Sequence, residues 1–71
     1  MNNEFYAVEL SRNDFYFFKS KDKAFEFLWQ EYLNEYAVER TQEELAAIKE
    51  DMYFWYAIDD FGSVVVCGFE D

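Results

Sequence analysis

Between Ala24 and Glu39 the chain reads AFEFLWQEYLNEYAVE, and its apolar residues recur at a single spacing. Phe25, Leu28, Trp29, Tyr32, Leu33 and Tyr36 follow one another at steps of three and four. At about 100° per residue they fall within an arc of about 140°. That spacing predicts an amphipathic helix from about Lys21 to Val38. Ser20 is placed to cap it, and Asp22 supplies an anion to the first turn, where the helix dipole favours one. A helix with so broad an aromatic stripe must lay it on another layer. Phe27 stands apart, on the opposite edge near Lys23 and Asn34. It reads either as a contact anchor or as a ring that meets a second helix.

The remaining segments supply that other layer. EFYAVEL (Glu4–Leu10) and FYFFK (Phe15–Lys19) are β-prone runs on either side of the polar turn SRND, which predicts a hairpin. Tyr6, Val8 and Leu10 share one face of the first strand. Phe5 and Ala7 share the other with Glu9, the wetter of the two. Thr41, with Glu44 three residues later, fits a capping box. Leu45, Ile48 and Met52 then line a shorter helix that runs to about Asp51 or Tyr53, and MYFWYAI starts either as helix or as strand. FWYAI and SVVVCGF flank DDFG and read as a second hairpin, with Asp and Gly as its turn residues. The order is β-β-α-α-β-β. The expected architecture is α+β, an antiparallel sheet packed by the long helix and a shorter second one.

With 71 residues, the chain is expected to form one domain spanning 1–71. A chain of this size buries only about 60% of its unfolded surface. Its aromatic content of 24% offsets that, because each large ring removes on the order of 150–250 Å² from water. Cys67 is the one cysteine, so no internal disulfide is expected, and VVVCGF makes it a small buried hydrophobe. No apolar run approaches the roughly 20 residues of a membrane span. No signal peptide is seen, and a cytoplasmic setting is expected.

Little here supports catalysis. The chain has no histidine, which removes the commonest general base, a Cys–His pair and a classical zinc site. Asp59–Asp60, Glu43–Glu44, Glu50–Asp51 and Glu70–Asp71 are adjacent carboxylate pairs. Neighbours on a strand point to opposite faces, and neighbours on a helix diverge by about 100°. DFG at Asp60–Gly62 lacks the rest of the kinase signature and reads as a turn. No phosphate-cradling glycine loop is present. The expectation is a non-enzyme with no cofactor and no metal.

The charge is what remains. Sixteen acids face six bases, a formal net charge of −10. Such a charge repels nucleic acid and anionic membranes and favours a basic protein partner. On the helical wheel Glu31, Glu35 and Glu39 form an i, i+4, i+8 ridge beside the aromatic stripe, its members roughly 6 Å apart along the axis. Lys19, Lys21 and Lys23 lie too far N-terminal to neutralise it, and Arg40 reaches only its end. Glu43 with Glu50, and Glu44 with Asp51, make two further rows at spacing seven. Candidate partner-binding residues are therefore Glu31, Glu35, Glu39, Glu43, Glu44, Glu50, Asp51, Phe27, Asp59 and Asp60.

Carboxylates beside aromatic rings imitate phosphates beside bases. In size, charge and the interleaved acids and rings of AFEFLWQEYLNEYAVE, the chain resembles small acidic phage-encoded inhibitors of the anti-CRISPR and anti-restriction type. That resemblance implies a stoichiometric inhibitor that occupies the basic nucleic-acid site of a host nuclease or defence effector. An immunity protein or antitoxin that neutralises a basic toxin is a second expectation. A homodimeric module with Trp29, Tyr32 and Trp55 at its interface is a third.

Overall fold

The computed structural model describes the backbone of residues 2–11 and 13–70 and the side chains of residues 4–11 and 13–68. Its elements are β1 (Asn2–Leu10), β2 (Phe15–Phe18), α1 (Lys21–Tyr36), a 3₁₀ turn (Ala37–Glu39), α2 (Gln42–Trp55), β3 (Ala57–Ile58) and β4 (Gly62–Glu70). The strands form one antiparallel sheet in the order β2-β1-β4-β3. The two hairpins thus lie side by side with β1 and β4 central, and the fold is α+β. In the first turn Arg12 lies outside the described residues. Asn13 takes a left-handed conformation (φ 68°), which asparagine tolerates, and donates to the Leu10 carbonyl at 2.9 Å.

Register sorts the side chains. Tyr6 stands opposite Phe18 and Val66, Val8 opposite Tyr16 and Val64, and Leu10 opposite Gly62. These positions face the helices, because antiparallel partners share a face. Against them α1 lays Phe25, Leu28, Trp29 and Tyr32, all buried. Met52 of α2 and Ile58 of β3 close the same core. Gly62 lets these layers approach. A Cβ there would stand 2.9 Å from the Glu9 carbonyl oxygen and 2.9 Å from the Leu28 Cδ1. Its φ is not positive, so glycine is required here for space and not, as the hairpin reading had it, for a turn conformation.

Both predicted caps form. The Ser20 hydroxyl accepts from the Lys23 amide at 3.4 Å. The Thr41 hydroxyl accepts from the Glu44 amide at 3.1 Å, and the Glu44 carboxylate accepts from the Thr41 amide at 3.0 Å. The helix ends differ from expectation. α1 stops at Tyr36, where its stripe stops, and Val38 is 99% exposed in the 3₁₀ turn. Without a core contact to hold it, the last turn tightens to the 3₁₀ pattern common at helix ends. α2 runs on to Trp55, so Phe54 and Trp55 are helical and not strand. Tyr53 and Tyr56 both reach Phe25, at ring-centre distances of 4.8 and 5.1 Å, and this packing outweighs β-propensity. Tyr56 then ends the helix in a left-handed cap (φ 58°), donating to the Met52 carbonyl at 2.8 Å.

The second face of the sheet carries Phe5, Ala7, Glu9, Phe15, Phe17, Ser63, Val65 and Cys67. No helix among the described residues covers it. Phe5 and Phe17 lie 5.9 Å apart across the strands. This is the face expected to be wetter, and it faces solvent, but its lining is largely apolar. Cys67 is there too, partly exposed, its thiol 3.9 Å from the Val65 carbonyl. It is not the core residue its neighbours suggested, because strand alternation sends Val64 inward and Cys67 out.

Candidate protein-binding surface

The turn between β3 and β4 gathers the acidic side chains. Phe61 donates its amide to the Ile58 carbonyl at 2.8 Å, closing a four-residue turn with Asp59 and Asp60 at its centre. Asp59 is left-handed (φ 37°), a conformation short polar side chains tolerate. Phe61 anchors the turn. Its ring meets Tyr32 edge-on at 5.4 Å and Tyr36 at 5.9 Å. Its carbonyl accepts from the Ser11 amide at 2.8 Å. The two aspartates are thereby held exposed at a corner where α1, α2 and β1 converge.

Three open grooves meet at that corner. One of about 500 Å³, between the turn and the end of α1, is lined by Tyr32, Glu35, Tyr36, Arg40, Asp59 and Asp60, among others. A second, of about 310 Å³, lies between α2 and β3 and is lined by Ile48, Asp51, Trp55 and Asp59. A third, of about 190 Å³, includes Glu9, Asp59 and Asp60. Asp59 lines all three. Glu9, Glu35, Asp51, Asp59 and Asp60 thus come to one end of the molecule from four separate elements.

Among the described residues Arg40 is the one basic residue lining these grooves, and its charge is already engaged. Its Nε donates to the Tyr32 hydroxyl at 3.2 Å, and its guanidinium lies 5.7 Å from the Tyr36 ring centre. The Tyr32 hydroxyl, with Glu44 and Glu39 nearby, raises its pKa above the ordinary arginine value. Lys21 sits 5.0 Å from the Tyr56 ring centre and is raised by that residue's hydroxyl. Lys49 sits 5.8 Å from the Trp29 ring. Three of the six basic residues are therefore spent on ring faces at the rim of the core, where cation–π attraction favours them. The carboxylates dominate the outer surface.

The predicted site residues divide. Glu35, Asp51, Asp59 and Asp60 are brought together. Glu31 is partly buried on the α1 edge, and Glu39 leaves the helical ridge because the 3₁₀ turn begins at Ala37. Glu43 and Glu50 are exposed on α2, away from these grooves. Glu44 closes the helix cap, and Thr41's amide and hydroxyl hold its carboxyl below the ordinary range. Phe27 is partly buried, against the sheet and not against α2. Its ring packs on Tyr16 at 4.6 Å and Phe18 at 5.3 Å, on the edge strand β2. Trp29 and Tyr32 are buried in the core of the single chain, whereas Trp55 is 69% exposed. The Glu70–Asp71 pair lies outside the described side chains.

Glu9, Phe61, Arg40 and the groove position of Trp55 escaped the sequence reading. For Glu9 the signal was present: an acid at the end of β1, next to a turn. For the others it was not, since each depends on which loops the sheet order brings together.

Among the described residues no group of three or more His, Cys, Asp or Glu is placed to hold a metal ion. No helix there is long and apolar enough to cross a membrane. Comparison with protein-family models, with curated proteins and with solved structures finds no match to this chain.

Proposed function

We propose that this chain is a non-enzymatic inhibitor that binds a basic protein and occupies its nucleic-acid site, with the β3–β4 corner as the contact. The observation that carries this reading is the convergence of Glu9, Glu35, Asp51, Asp59 and Asp60 on grooves sharing Asp59, in a chain of net charge −10. A groove built to grip phosphates with Lys and Arg finds several exposed carboxylates here at one corner. The exposed Trp55, between Asp51 and Asp59, offers a ring face to a guanidinium or a stacking surface in place of a base. The cost of desolvating partner cations is offset only where a carboxylate meets each one, so clustering matters more than net charge.

The experiment is a competition assay against a panel of basic nucleases, including defence effectors and toxin nucleases. Titrating the protein into each enzyme with labelled DNA should show stoichiometric, DNA-competitive inhibition of at least one. Screening should weaken it by roughly tenfold or more between about 50 and 300 mM salt. Inhibition indifferent to salt, or unaffected when Asp59 and Asp60 are replaced by Asn, would overturn the reading.

A further inference from the structure

The edges of the sheet are protected unequally. β2 is four residues long and β3 two, and short edge strands resist foreign pairing. Beyond β2, the open end of β1 carries Glu4, a charge that also discourages pairing. β4 has neither protection. It is nine residues long, and β3 pairs with it only at Gly62 and Ser63. From Val64 onward no strand among the described residues lies on that side. The Val64 amide donates to the Tyr56 carbonyl on the β3 side at 2.7 Å. Strand backbone groups alternate with period two, so Val66 and Gly68 present their N–H and C=O groups outward along the open edge. Val65 and Val66 are 43% and 50% exposed.

We infer that the open edge of β4 pairs antiparallel with the same edge of a second copy, joining two sheets across a two-fold axis near Val66 or Cys67. Residues 61–69 form the longest stretch of this chain without a charged side chain. Two molecules that repel through −10 each can approach there with no carboxylate facing a carboxylate across the pairing. A basic partner, by contrast, finds nothing along this edge to pair with. An antiparallel pair about a two-fold is self-complementary: each copy's outward groups at Val66 and Gly68 meet the same groups of the other. It consumes the open edge of both copies, so the assembly closes at two. The acidic corner lies at the Gly62 end of β4 and stays free at opposite ends of the dimer. One strand edge buries less than a standard interface, so the dimer is weak and concentration-dependent.

The test is sedimentation equilibrium of the full chain, with reductant present, from roughly 10 µM to 1 mM. The expected mass rises from monomer toward dimer, and more steeply at high salt, because screening relieves the repulsion. That is opposite to the salt effect expected for a basic partner, so the two readings fail separately. Val66→Pro removes an outward N–H without breaking a bond inside the monomer, as edge strands tolerate. Val66→Lys adds a charge at a half-exposed position. Each variant that keeps the wild-type circular dichroism spectrum should remain monomeric throughout. Amide exchange in the wild-type protein should slow at Val66 and Gly68 as concentration rises, a readout that needs no variant. A strict monomer at every concentration, a dimer that persists in the folded variants, or exchange at Val66 and Gly68 independent of concentration overturns the proposal.

Discussion

Gly62 and the Asp59–Asp60 pair are three neighbouring positions with opposite duties. A Cβ at Gly62 would press on the backbone oxygen of Glu9, and a backbone atom at the centre of a sheet yields only by shifting the strand. Gly62→Ala should therefore cost about 1–3 kcal/mol by overpacking. Urea denaturation would show it, and the melting temperature should fall by roughly 4–8 °C for each kcal/mol lost. Asp59 and Asp60 are exposed and make no part of the core. Replacing both with Asn removes like charge from a crowded corner while keeping the turn chemistry. The double variant should melt at or slightly above the wild-type temperature and inhibit its target less. Loss of folding in that variant would mean that the turn needs its charges for stability and not only for binding.

At the scale of elements, α2 is the loosely held one. Met52 is its one buried residue, with Leu45 and Ile48 partly buried against the core. So short an apolar seam leaves its N-terminal turn dependent on the capping box. Thr41→Ala should cost about 1 kcal/mol, and hydrogen exchange should rise first in residues 42–46. The cap also titrates. Thr41's amide and hydroxyl stabilise the ionised form of Glu44 and lower its pKa from the ordinary 4.5. The unfolded chain binds this proton more readily than the native one. The cap's contribution is therefore complete above about pH 4.5 and is lost as pH falls through the lower native value. Glu44→Gln should be less stable than wild type near neutral pH, and that difference should shrink in acid. Melts recorded from about pH 3 to 7 would check the sign. α1 depends less on its cap, since Ala24, Phe25, Leu28, Trp29 and Tyr32 are buried over about two and a half turns.

For the whole molecule, charge and shape act together. The molecule measures 45 × 22 × 16 Å, thin enough for one sheet and one helical layer. At −10 the native state carries self-repulsion that the more expanded unfolded chain relieves. Raising sodium chloride from about 20 to 500 mM should raise the melting temperature, as the Debye length drops below the spacing of surface charges. Inhibition of a basic target should weaken over the same range. A scanning calorimetry series run beside the competition assay would show stability and binding moving in opposite directions. If both rose with salt, hydrophobic contact through the uncovered sheet face would be the better account of binding.

How much of this was legible in the chain follows from the range of the forces involved. Helix periodicity, the Ser20 cap, the Thr41–Glu44 box and the β-β-α-α-β-β order are set by neighbours a few residues apart, and the sequence alone determined them. The three-and-four spacing placed Phe25, Leu28, Trp29 and Tyr32 in the core for the same reason. The continuation of α2 through Phe54 and Trp55 was not local, because it depends on Tyr53 and Tyr56 reaching Phe25. Nor was the fate of Phe27, whose partners Tyr16 and Phe18 lie on a strand the wheel cannot see. The acids were legible as an excess but not as a place. Glu31, Glu35 and Glu39 made the obvious ridge, yet the carboxylates that gather do so around Asp59, because pairing β1 with β4 swings the second hairpin's turn against the end of α1. The unprotected edge of β4 is likewise a product of strand order. VVVCGF declares a strand, but only the sheet decides which strand is left with one side open.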